Sequence, residues 1–92
     1  DIDGIPEPDS APETEDYAGL EAVDLLDIIR ELPPKYRMVF NLFAIEGYSH
    51  KEISQMVNIS EGTSKSNLSR ARIILQKKVN LYTGLKKSLV NG

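Results

Sequence analysis

Residues 49–79 read SHKEISQMVNISEGTSKSNLSRARIILQKKV, and two capping signals divide the stretch. Ser49 followed by Glu52 is a capping box: the serine oxygen accepts from the third helical N–H and the glutamate reaches back to the serine N–H. Ile53, Met56 and Val57 then fall on one helix face. Asn58-Ile59-Ser60 is a tight connection, with Ser60 placed to cap the next helix. That longer helix is predicted from about Glu61 to Val79, with Ser64, Leu68, Ala71, Leu75 and Val79 in one continuous stripe. A short helix, a brief turn and a longer helix make a helix-turn-helix. Ile53, Val57 and Ile59 form its hinge, and Leu68, Ala71 and Leu75 form the core side of its second helix. Ala71 is small where the paired helices approach closely.

The outer face of the second helix follows from its geometry. At about 100° per residue, with Leu68 as zero, Ser66 lies at about 160°, Arg70 at about 200°, Thr63 at about 220°, Ser69 at about 100° and Lys65 at about 60°. Arg70 is long, planar and bidentate, suited to the O6/N7 edge of guanine, and the small Ser66 and Ser69 let a helix come close to base edges. Thr63, near the helix N-terminus, is placed to donate to a phosphate beside exposed backbone N–H groups. Arg72, near the packing seam at about 40°, is read as a structural partner of Glu52. His50 is read as solvent-facing on an exposed first turn, with a phosphate contact as the alternative.

Outward from this motif, Gly47 offers the left-handed conformation that closes a preceding helix. That helix starts at Pro34, where a missing N–H costs nothing, and turns Tyr36, Val39, Phe40 and Phe43 to one side, Leu42 and Ile45 widening the apolar face. Before it, Ala22, Leu25, Leu26, Ile29 and Leu32 form the stripe of a first helix, which Pro33-Pro34 ends. Residues 1–18 hold three prolines, a glycine and seven acids; they bury too little apolar area to offset the entropy of ordering and are expected to be an acidic flexible linker. The fold expected is all-α: a compact four-helix domain over 19–82 ending in the helix-turn-helix of 49–79, winged-helix-like but without a wing, followed by a tail over 83–92.

Composition narrows the function. Residues 1–32 hold eleven acids and one base, and residues 33–92 hold ten bases and three acids. The whole-chain charge of −3 therefore hides a basic segment suited to nucleic acid. Lys77, Lys78, Lys86 and Lys87 make a solvated basic face. With no cysteine and one histidine, disulfides and zinc sites are excluded, since a zinc site takes about three or four protein ligands. No carboxylate pair, phosphate loop or nucleophile–base constellation suggests an enzyme, a cofactor or a small-molecule substrate. No apolar run approaches the roughly 20 residues that span a bilayer, so no membrane insertion and a cytoplasmic location are expected. The chain opens on Asp1 and is read as a piece of a longer protein.

The stretch LPPKYRMVFNLFAIEGYSHKEISQMVNISEGTSKSNLSRARIILQKKV, residues 32–79, resembles region four of the bacterial RNA polymerase sigma factors, nearest the extracytoplasmic-function (ECF) type. The resemblance rests on the Leu-Pro-Pro-x-x-Arg opening, the Glu-Gly-Tyr-Ser junction, Glu52-Ile53 and the Gly-Thr-x-Lys-Ser-x-Leu-x-Arg-Ala-Arg run. It implies that Lys65, Ser66, Ser69 and Arg70 face promoter bases at the upstream, minus-thirty-five element. It implies that Arg37 contacts the DNA backbone, with Lys35, Tyr48, Thr63 and Asn67 as companions. Two positions depart from the pattern: Ser64 stands where valine is usual, and Asn67 where arginine is common. The implied partners are promoter DNA, core RNA polymerase through the flap of its beta subunit, and an anti-sigma factor. Two other readings compete: a helix-turn-helix output domain of a LuxR-type response regulator, and a helical protein-interaction module without DNA binding, which the uncharged Ser64 and Asn67 favour.

Overall fold

The computed structural model describes residues 21–91; the acidic segment 1–18 lies outside them. Every regular element among the described residues is helical: α1 (Ala22–Arg30), α2 (Pro34–Phe40) running into a π-helical segment (Asn41–Ile45), α3 (His50–Val57) and α4 (Glu61–Asn91). The all-α reading holds.

Local signals account for most boundaries. α1 stops at Arg30 because Pro33-Pro34 comes next, and the N–H groups of Glu31 and Leu32 close onto the carbonyls of Ile28 and Ile29 at 3.0 Å. Pro34 is the first residue of α2, where proline's fixed φ suits a helix start. α3 begins on the full capping box. Glu52 N–H donates to Ser49 Oγ at 3.1 Å, and Ser49 N–H donates to Glu52 Oε1 at 2.9 Å. α3 ends at Asn58 in the left-handed region, φ 58°, a conformation that asparagine tolerates better than most residues. α4 is capped by Ser60, whose Oγ accepts from Thr63 N–H at 3.0 Å and donates to Thr63 Oγ1 at 2.9 Å.

Between α2 and α3 the chain widens. Glu46 N–H reaches the carbonyl of Asn41 five residues back, and Tyr48 N–H reaches that of Leu42, both at 2.9 Å. Gly47, at φ 83°, takes the left-handed conformation expected of it and turns the chain into α3.

α4 packs against α1, α2 and α3. Its row Leu68, Ala71, Leu75 and Val79 meets Ile28, Ile29 and Leu32 of the α1 region, Tyr36, Val39 and Phe40 of α2, and Ile53 of α3 in one core. Val39, Ile53 and Leu75 have no solvent exposure, and burying each such side chain stabilises the fold by about 1.5–3 kcal/mol relative to leaving it in water. Val57 and Ile59, expected in the buried hinge, are half-buried against this core.

Three expectations change. On α1, Ile28 is buried and Leu26 is 46% exposed, so the packed face is rotated from the stripe read in the sequence. α4 does not stop at Val79 but runs to Asn91, so residues 83–91 are helical rather than a loose tail. Tyr82 fastens this part by a hydrogen bond to Asp24 of α1, which holds the phenol above its ordinary pKa. Lys78 Nζ meets Glu31 Oε1 at 3.1 Å, a second link to the end of α1. The expected roles of Glu52 and Arg72 also shift. Glu52 is turned back onto Ser49, whose hydrogen bonds lower its pKa, and the Arg72 guanidinium lies 6.0 Å from the Phe43 ring centroid.

Candidate nucleic-acid interface

The first three turns of α4 have one face turned inward and one turned out. Ser64 and Ala71 are fully buried and Leu68 is nearly so. On the outer side Thr63 and Lys65 are exposed, and Ser66, Ser69 and Arg70 are partly exposed. The four residues expected to face bases therefore share one surface, which α3 supports from behind. Lys77 is exposed further along the helix. The Ser60 cap fixes where this surface begins, so the free N–H groups of the first turn lie beside Thr63 and Lys65.

The remaining expected residues divide. Lys35 is exposed on the first turn of α2, its ammonium 5.1 Å from the Tyr36 ring centroid. Tyr48 is half-buried against the core. Arg37 is engaged within the fold: one guanidinium N–H donates to the carbonyl of Arg30 at 2.7 Å. It thereby caps the carbonyl end of α1, using one of its five donors. Asn67 is a correction. Only 8% of it is exposed, so it is withdrawn from the set that a phosphate can reach. Its helical angle, about 260°, lies midway between exposed Thr63 at about 220° and buried Ala71 at about 300°, so packing rather than angle decides its burial. Arg70 also differs from expectation: it is partly buried, and its Nε is shut away from solvent without a hydrogen-bond partner. Its stem is thereby held against the protein.

His50, expected to face solvent or a phosphate, is only partly exposed. It does not face solvent freely. Its Nδ1 lies 2.8 Å from Ser64 Oγ, and its ring stacks on Phe43 with centroids 4.5 Å apart and planes 18° from parallel. Burial holds the imidazole below its ordinary pKa, helped by the positive charges of Lys65 and Arg72 and opposed by Glu61. The sequence contained half of this: Ser64 sits in the buried stripe, so its hydroxyl required a partner.

Among the described residues no group of three or more His, Cys, Asp or Glu is arranged to hold a metal ion, and no helix is long and apolar enough to cross a membrane. The surface offers cationic and small polar groups on a helix, which suits recognition of a polyanion with an informative edge.

Comparison with known proteins gives the same direction. The family described as sigma-70, region 4 matches residues 22–75. The ECF RNA polymerase sigma factor SigE of Mycolicibacterium smegmatis is 33% identical over 72 residues, covering 78% of this chain and 28% of that protein. The RNA polymerase sigma factor SigZ of Bacillus subtilis is 38% identical over 64 residues, covering 70% of this chain and 36% of that protein. The chain thus spans about a third of the length of these relatives. No solved structure gives a significant match.

Proposed function

Because the chain belongs to the sigma-70 region 4 family, we propose that it reads the minus-thirty-five promoter element with α4 while docked on RNA polymerase. The observation that carries this reading is the shared outward face of Lys65, Ser66, Ser69 and Arg70 on a helix whose opposite face is the core. Arg70 is the base-reading side chain: its outer nitrogens form a bidentate fork for guanine, while its stem is held by the protein. Ser66 and Ser69 keep the approach close. Thr63, with the amides of the capped first turn, takes phosphates and sets the register, and Lys65 lies beside it at the edge of the base-facing surface. Lys35, Tyr48 and the uncommitted donors of Arg37 contribute backbone contacts at the edge of the interface.

The flap of the polymerase beta subunit is assigned to the apolar side chains left exposed on the first two helices and the π-helical segment that follows them, where Leu26, Met38 and Ile45 are 46%, 42% and 55% exposed. An anti-sigma factor acts by masking the domain, and the site of action is the cytoplasm, where the polymerase works. The interaction-module alternative loses its best support, because Ser64 and Asn67 are both buried and their lack of charge takes nothing from the exposed face.

Titration of a promoter-element library onto wild type and Arg70→Ala, beside a pull-down of core polymerase, tests the reading. The expected result is polymerase binding, with Arg70→Ala relaxing base preference at one position by about 1–3 kcal/mol. Specific DNA binding without polymerase binding would make this a free-standing transcription-factor domain.

A further inference from the structure

The junction of α3 and α4 holds two polar side chains where apolar ones would ordinarily pack. Ser64, on the first turn of α4, is fully buried. Its hydroxyl meets Nδ1 of His50, the first residue of α3, at 2.8 Å. One face of the imidazole is closed by the Phe43 ring. Hydrogen bond and stack together fix both the position and the roll of the ring, and with Nδ1 committed to Ser64 the remaining polar atom is Nε2. His50 stays partly exposed.

The charges that face this ring come from α4, with Lys65 and Arg72 positive and Glu61 negative. The π-helical segment contributes the uncharged Phe43. On α3 itself, Lys51 is the next residue in the chain, and Glu52 is turned back to Ser49. In the free protein partial burial, and then the charges of Lys65 and Arg72, disfavour the imidazolium, with Glu61 opposing them. A phosphate docking beside Lys65 reverses that balance: it screens the cations and supplies an acceptor for a second ring N–H.

We propose that Ser64 is a positioning residue which holds His50 in one orientation beside Lys65, and that His50 takes up a proton as a phosphate backbone docks there, so that DNA binding is proton-linked. This rests on the DNA-binding reading above. The sign follows from linkage: a group whose pKa is higher in the complex than in the free protein makes affinity rise as pH falls between the two values. His50 is the one histidine of the chain. Imidazole is the one side chain whose ordinary charge change falls between about pH 5 and 8, so the part of the slope that His50→Gln removes belongs to His50.

The test is an anisotropy titration of the full chain with a short duplex at constant low salt across that window. It is run for wild type, His50→Gln and Ser64→Ala, with circular dichroism as the check on folding. Alongside it, the His50 ring protons of the wild type are followed by NMR against pH with and without duplex. The expected results are a His50 midpoint that moves up on adding duplex and wild-type binding about threefold or more tighter at the acidic end. His50→Gln gives a flat profile that still shows binding, and Ser64→Ala shows weaker binding with a shallower slope. A His50 midpoint that does not move with a bound duplex, or a His50→Gln profile as steep as wild type, overturns the proton linkage and leaves DNA binding intact. A Ser64→Ala profile identical to wild type removes the positioning role. Absence of duplex binding by wild type at low salt defeats the DNA-binding reading, and this proposal with it.

Discussion

The two ends of the packed part of α4 are held by opposite chemistry. From Leu68 to Val79 the helix lies on an apolar seam with Ile28, Ile29, Leu32, Tyr36, Val39 and Phe40. At its first turn, directional bonds surround it: the Ser60 cap and the His50–Ser64 pair, close to the Ser49–Glu52 box of α3. Apolar burial is roughly proportional to area and has no preferred direction, whereas a hydrogen bond weakens steeply when its angle is lost. The seam therefore supplies stability, and the polar junction supplies the register of the surface proposed to meet DNA.

That division can be broken in several ways. Leu75→Ala, in the middle of the seam, is expected to cost about 2–5 kcal/mol in denaturant unfolding, while the folded fraction keeps its base preference. A changed preference would show that the seam also sets register. Arg70→Ala should do the reverse, losing about 1–3 kcal/mol of base discrimination at one position with an unfolding midpoint near that of wild type. Ser49→Ala removes the cap of α3 and should lower stability by about 1 kcal/mol, detected as an earlier urea midpoint with unchanged slope.

The smallest expected effect is on thermal stability against pH. The His50 pKa is lowered on folding, so the unfolded chain binds the more protons as pH falls through the histidine range. The melting temperature should then drop between about pH 7.5 and pH 5.5, with the contribution fully present above the unfolded value of about 6.5. His50→Gln should remove that dependence, and a slope that survives the substitution would place its origin elsewhere.

Much of this was legible from local signals. The capping box, Ser60, Pro34 and Gly47 act within a few residues of themselves, so sequence alone located three helix starts and a turn. The spacing of Ser64, Leu68, Ala71, Leu75 and Val79 defined the buried row. The features that escaped depend on partners distant in sequence or on no residue type at all. His50 and Ser64 are fourteen positions apart, so a buried hydroxyl announced a need without naming its partner. Nothing in Asn41–Ile45 marks a π-helical segment. Just past Val79 the leucines turn outward, Leu81 and Leu85 being 75% and 64% exposed, so periodicity stopped short of the true helix end. Asn67 lies at the border of the buried face, about 40° from both Thr63 and Ala71, so periodicity alone left its burial undecided.

The length of α4 has a mechanical consequence. Thirty-one residues at 1.5 Å each make a rod of about 46 Å, with the recognition surface at one end and Asn91 at the other. Treated as rigid and pivoting at Leu75, a tilt of about 5° sweeps the far tip through about 2 Å. In the DNA-bound arrangement proposed above, a partner gripping the far end of α4 would have leverage on the angle at which Arg70 is presented, resisted by the seam and by the links of Lys78 and Tyr82 to α1.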